Sequence, residues 1–167
     1  QIMKPMMTLA LPALLFATIA QAQTTPPTAA AQISGNPAAA PAGTYELDGR
    51  HASVIARISH LGASLSVFRF DKIAGKLDWV PANPSQSKVS VEIQTASITS
   101  NVPGFAEELS KAPWLNTAKY SVATFASTAI RTTGPSAGVI SGNLTLMGVT
   151  KPIQITARLF GAGKNTK

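Results

Sequence analysis

Apolar and polar residues alternate through most of this chain. Over residues 53–60, Val54, Ala56, Ile58 and His60 share one parity, and Ser53, Ile55, Arg57 and Ser59 the other. A period of two predicts a half-buried strand. Leu61, Gly62 and Ala63 make a turn. A long extended run follows over 64–80, with Gly75 as its bend or bulge, and Pro81-Ala82-Asn83-Pro84 closes that hairpin. Residues 88–95 alternate cleanly, with Val89, Val91, Ile93 and Thr95 opposite Ser90, Glu92 and Gln94. Further strands are predicted at 120–130, 138–147 and 153–160, with a loop at 132–137. One segment departs from the pattern. In 102–111, Phe105, Ala106 and Leu109 have helical spacing, Pro103 stands in the first turn, Pro113 is a stop and Asn101 can cap. The fold class predicted is therefore all-β: an antiparallel β-barrel, closed or nearly so, with one short inserted helix. A barrel of eight strands has an interior that is either filled by side chains or holds one small ligand.

The first 43 residues do not follow this pattern. Lys4 precedes an apolar run over 9–20, which ends in Ala20-Gln21-Ala22. A positive start, a short apolar core and a small-x-small exit predict a cleavable signal peptide over 1–22, in a run too short to span a bilayer comfortably. Export places the mature chain in the periplasm or outside the cell. Residues 23–43 hold Pro26, Pro27, Pro37 and Pro41 and no charge, which predicts a disordered Ala/Pro-rich linker. The folded domain then spans 44–167.

Composition narrows the functional classes. The chain has 167 residues, enough for one domain, and only 13% are charged, about half of what is usual. It has no cysteine, which excludes catalytic thiols, zinc–thiolate sites and iron–sulfur clusters. The formal charge is +7. The basic residues are scattered and form neither a run nor an aromatic-interleaved stripe, so a solvated basic surface is favoured over nucleic-acid binding. Transient contact with an anionic membrane surface remains compatible with this charge, and a homodimer is allowed.

Little in the chain suggests catalysis. Gly134-Pro135-Ser136-Ala137-Gly138 matches the G-x-S-x-G pattern of hydrolases, but that chemistry needs a strand-to-helix elbow, and a hairpin loop is predicted here. Glu107 and Glu108 are adjacent, about 100° apart on a helix, so they do not form an acid/base pair. His51 and His60 lie nine residues apart, which in a continuous strand puts them on opposite faces and prevents a shared metal. A hydrogen bond from His51 to Asp48 is expected. His60 shares the parity of Val54 and Ile58; it reads either as a core histidine near the barrel mouth or as a donor to the headgroup of a ligand. The aromatic residues Phe68, Phe70, Trp79 and Phe125 are equally candidates for core and for pocket wall.

Several ordered blocks resemble the YceI-like family. They are Tyr45-Glu46-Leu47-Asp48-Gly49-Arg50-His51-Ala52-Ser53, Ile58-Ser59-His60-Leu61-Gly62, Thr95-Ala96-Ser97-Ile98, Trp114-Leu115, Lys119-Tyr120, Thr124-Phe125 and, most specifically, 142–152. The resemblance implies a lipocalin-like β-barrel, without known catalytic residues, that binds polyisoprenoids or quinone-like amphiphiles in an apolar pocket. Its expected occupant is an apolar lipid ligand, with no other cofactor; the alternatives are a stress-linked structural or interaction protein without lipid, whose interior side chains fill, and an esterase using Ser136. The expected ligand-binding residues are Val54, Ile58, His60, Phe68, Phe70, Trp79 and Phe125. The chain departs from the family at Phe68, where a Gly is usual, and at Ser121, where a Pro is usual. The family continues for two strands beyond 153–160, so the resemblance also implies a domain that lacks its last two strands.

Overall fold

A computed structural model describes residues 33–163; the leader expected at 1–22 and the first part of the linker lie outside them. Residues 33–42 contain a 3-10 turn, Pro37–Ala39, capped by the Asn36 side chain. Ser34 forms an antiparallel bridge with Ala162.

Nine strands occur among the described residues: β1 Gly43–Glu46, β2 Val54–His60, β3 Ser64–Phe70, β4 Ile73–Trp79, β5 Lys88–Gln94, β6 Ile98–Ser100, β7 Val122–Gly134, β8 Ala137–Leu146 and β9 Val149–Arg158. A short helix, α1 Phe105–Leu109, stands between β6 and β7. Six strands form one sheet in the order β1-β4-β5-β7-β8-β9, and three form another in the order β2-β3-β6. All pairs are antiparallel.

The two sheets are joined at a corner. The chain leaves β1 for β2 through the 3-10 turn Gly49–His51, leaves β3 for β4 through Asp71 and Lys72, and leaves β5 for β6 through the 3-10 turn Thr95–Ser97. Backbone bonds continue the pairing across the corner: Leu47 N–H donates to the Gly75 carbonyl (2.9 Å), Gln94 N–H to Lys72 (2.9 Å) and Asp71 N–H to Ser97 (3.3 Å). The architecture is thus an up-and-down meander of six long strands, three of them bent. This is the lipocalin-like all-β arrangement, and the described residues do not close it: β9 at one edge and β1 and β2 at the other have no partner on their outer sides.

Thr95 holds the corner. It is 1% exposed, its hydroxyl donates to the Tyr120 carbonyl at 2.6 Å, and its N–H donates to Ser121 at 2.9 Å. A buried hydroxyl needs such a partner to offset its desolvation.

Several boundaries differ from the alternating pattern. The long run expected at 64–80 breaks at Asp71–Lys72, not at Gly75; Gly75 is instead where the Leu47 side chain crosses, within 3.6 Å of where a Cβ would stand. β7 continues to Gly134 through two irregularities in its pairing with β8, so the loop expected at 132–137 is a turn at Pro135 and Ser136. β9 begins at Val149 and includes Pro152, tolerated on a strand paired on one side only. Met147 (φ 53°) and Gly148 (φ 75°) form the two-residue turn before it, with both residues in the left-handed region that such hairpins require. Of the helix expected over 102–111, the single turn Phe105–Leu109 forms.

Candidate ligand-binding face

Register places the predicted residues in two groups. Val54 pairs with Phe70, Ala56 with Phe68, Ile58 with Ser66 and His60 with Ser64, so Val54, Ile58, His60, Phe68 and Phe70 share one face of the three-stranded sheet. Ile98 and Ser100 of β6 extend that face through Phe70 and Phe68. Phe125 pairs with Val91 on one side and Leu144 on the other. Trp79 lies on the same face of the larger sheet, in line with Leu77, which pairs with Val89. Tyr45, Ile93, Ala123, Gly142 and Ile153 complete this face by register.

The half-buried parity changes at the corner. It is odd in β4 and β5, at 73, 75, 77 and 79 and at 89, 91 and 93. In β3 and β6 it is even, at 66, 68 and 70 and at 98 and 100. The extra corner residues reset the phase as a bulge does, which keeps the apolar side chains of both halves on the more buried side. Phe68, Ile98, Ala123 and Phe125 are its buried members. Phe105 of α1 meets Phe68 edge-on, with ring centroids 5.6 Å apart at 61°, so the helix covers part of the smaller sheet's apolar face. Ile58 and His60, nearer the turn, are exposed.

On the smaller sheet this face also carries Ser64, Ser66 and Ser100. The Trp79 indole N–H is buried and has no hydrogen-bond partner. The His60 ring makes no hydrogen bond among the described residues, whereas His51 Nδ1 lies 3.0 Å from Asp48 Oδ2. Asp48 also receives Arg50 through its Nε and Nη2 atoms, and the Arg50 guanidinium, its backbone N–H and His51 hold that carboxyl well below the usual carboxylate range. This cluster caps the turn into β2 and is exposed. Sequence reasoning missed Phe105 as a cover and Ile98, Leu144 and Ile153 as wall residues, although all but Phe105 follow from the same alternation.

Other arrangements carry less chemistry. A groove of about 330 Å³ lies at the corner, between Gly49, Asp71, Lys72, Ile73, Ala74, Glu92 and Gln94. Ser136 stands in a strand–turn–strand connection, which lacks the helix that a nucleophile elbow requires. Among the described residues, no three His, Asp or Glu side chains are grouped to hold a metal ion.

An antiparallel meander curled about an apolar face defines a lipocalin-like binding protein. The YceI-like domain matches residues 45–167, and the chain belongs to the YceI-like family. A UPF0312 protein of Shewanella baltica is 42% identical over 131 residues, covering 77% of this chain and 69% of the relative. A UPF0312 protein of Ectopseudomonas mendocina is 43% identical over 126 residues, covering 74% and 66%. Neither name is that of an enzyme. Among solved structures, the Campylobacter jejuni YceI protein matches with a TM-score of 0.58 at 28% identity, over 73% of this chain and 71% of that one. Burkholderia cenocepacia BcnA matches in fold with a TM-score of 0.57 at 22% identity, over 62% of this chain and 65% of that one.

Proposed function

We propose that this chain binds an apolar, isoprenoid-type lipid, polyprenyl or quinone-like, and carries it through the periplasm without chemical change. The observation that carries the reading is the apolar face itself, which register places on both sheets and which is lined by Phe70, Leu77, Val91, Phe125 and Leu144. Burial of an alkyl chain there contributes roughly 0.8 kcal/mol per CH₂, so a few isoprene units offset the roughly 4–15 kcal/mol of freedom lost on association. Family membership and the leader-like start of the chain support the same reading.

The buried Trp79 N–H supplies what an orienting site needs, one donor within an apolar surround. A quinone carbonyl or a terminal hydroxyl can accept from it. His60, beside the turn of the β2–β3 hairpin, is the second donor available to a headgroup.

The test is mass spectrometry of organic extracts from the purified protein, followed by titration with ubiquinone and with a polyprenol, read by Trp fluorescence. Co-purified isoprenoid and saturable quenching are expected. Extracts without lipid, together with no binding of either compound, would overturn the carrier reading.

A further inference from the structure

The outward face of the β2–β3 hairpin is unusually apolar. β3 is paired to β2 along its whole length and to β6 only over Phe68–Phe70, so its odd positions Leu65 and Val67 stand on the outward face of a two-stranded hairpin. Leu65 is 61% exposed and Val67 48%. Ile55 of β2, opposite Arg69, is 49% exposed, and Leu61, at the tip, is 91% exposed. A sheet face turned to water ordinarily carries polar residues, and clustered exposed apolar side chains mark an interaction surface.

The charge on this hairpin has one sign. Residues 49–70 contain no Asp or Glu. Arg57 stands opposite Val67 on the outward face and makes no ion pair among the described residues. Arg69 is held by Asp71 at the corner, the end away from the tip. Glu107 and Glu108 belong to α1, which meets β3 through Phe68 on the other face.

We propose that this hairpin docks on an anionic lipid bilayer, with Leu61 and Leu65 entering the headgroup–acyl boundary and Arg57 against lipid phosphates. Aliphatic side chains beside a cation suit an interface that accepts apolar groups without directional contacts. Protein-binding hot spots favour Trp, Tyr and Arg and seldom use Leu or Val, and the exposed apolar residues here are Leu61, Leu65, Val67 and Ile55. The proposal concerns outward positions, so it does not depend on what the inward face binds.

Because the chain has no cysteine, Leu61→Cys carrying an environment-sensitive fluorophore reports the tip alone. Ala82→Cys, in the turn at the other end of the β3–β4 strand, is the control. With vesicles of equimolar phosphatidylcholine and phosphatidylglycerol, a blue shift is expected at 61 and not at 82, and it should fade with added salt. Leu61→Ser with Leu65→Ser should lower vesicle partitioning at least about tenfold, and Arg57→Gln about fivefold. Equal shifts at both positions, no shift at 61, or unchanged partitioning of the double variant would overturn the proposal. So would a serine variant that changes only the sedimentation of the free protein, since the face would then join two copies. The vesicle assay does not read cargo, so extracts without lipid together with no binding of ubiquinone or polyprenol would remove the carrier reading and leave docking standing.

Discussion

Phe125 on β7 lies against Gly142 on β8 so closely that a methyl group at 142 would overlap the Cζ and Cε2 atoms of the ring and the Ala126 carbonyl oxygen. The pair explains a buried glycine within a strand: the aromatic ring takes the place of its side chain. Neither the ring, 4% exposed, nor the backbone of Ala126 has room to yield. Gly142→Ala should therefore destabilise the fold by about 1–3 kcal/mol, the usual effect of overpacking. A lowered midpoint in urea with an unchanged slope is the expected result; a midpoint equal to that of the parent would contradict the contact.

The corner depends on Thr95. Thr95→Val keeps the shape and removes the hydroxyl that donates to Tyr120, leaving a part-buried carbonyl without that partner at a cost of about 1 kcal/mol. Thr95→Ser should recover most of the loss. If valine proves as stable as serine, the hydroxyl does not hold the corner.

Phe68 and Phe105 should couple. Phe68→Ala removes a buried ring at a cost of about 3–5 kcal/mol, and a double-mutant cycle with Phe105→Ala should show about 0.5–1.5 kcal/mol of interaction, typical of an edge-on aromatic pair. Strict additivity in urea melts would mean that α1 is not held through this contact.

The two candidate headgroup donors are separable. Trp79→Phe keeps an aromatic ring and removes the unpaired N–H, so ubiquinone binding should weaken about two- to tenfold, the net worth of one hydrogen bond, while squalene binding stays unchanged. His60→Ala should act in the same direction and more weakly, because the exposed ring competes with water. Equal losses for ubiquinone and squalene would assign the residue to packing alone.

The Asp48 cluster predicts an acid-side effect. An unfolded Asp titrates near about 3.9, and the folded value is depressed by Arg50. The stabilisation is thus present above the unfolded value and is lost as pH falls through the folded one. Asp48→Asn can still cap the turn, but it removes the charge pair. Its melting temperature should fall short of the parent's near neutral pH, by a small margin because the cluster is exposed, and the difference should shrink below about pH 4. A difference that grows on acidification would reverse the assignment.

Much of the strand pattern was legible in the residues alone. Alternation located β2 and β5 to within a residue and placed Val54, Ile58, His60, Phe68 and Phe70 on a shared parity, because successive side chains in an extended chain must point to opposite sides. The helical spacing of Phe105, Ala106 and Leu109 marked α1, and the blocks from Tyr45 to Pro152 marked the family. Tertiary structure decided what periodicity cannot carry. The corner at Asp71–Lys72 and Thr95–Ser97 shifts the buried parity from odd to even, and a period of two is silent about phase once extra residues interrupt a strand. Which parity faces inward depends on pairings between residues far apart in sequence, such as Phe125 with Val91 and Leu144. The same pairings leave Leu65 and Val67 outward, bring Phe105 onto Phe68 and bury the Trp79 N–H without a partner. Those outcomes belong to the coiling of six strands about one another, which no local run of residues encodes.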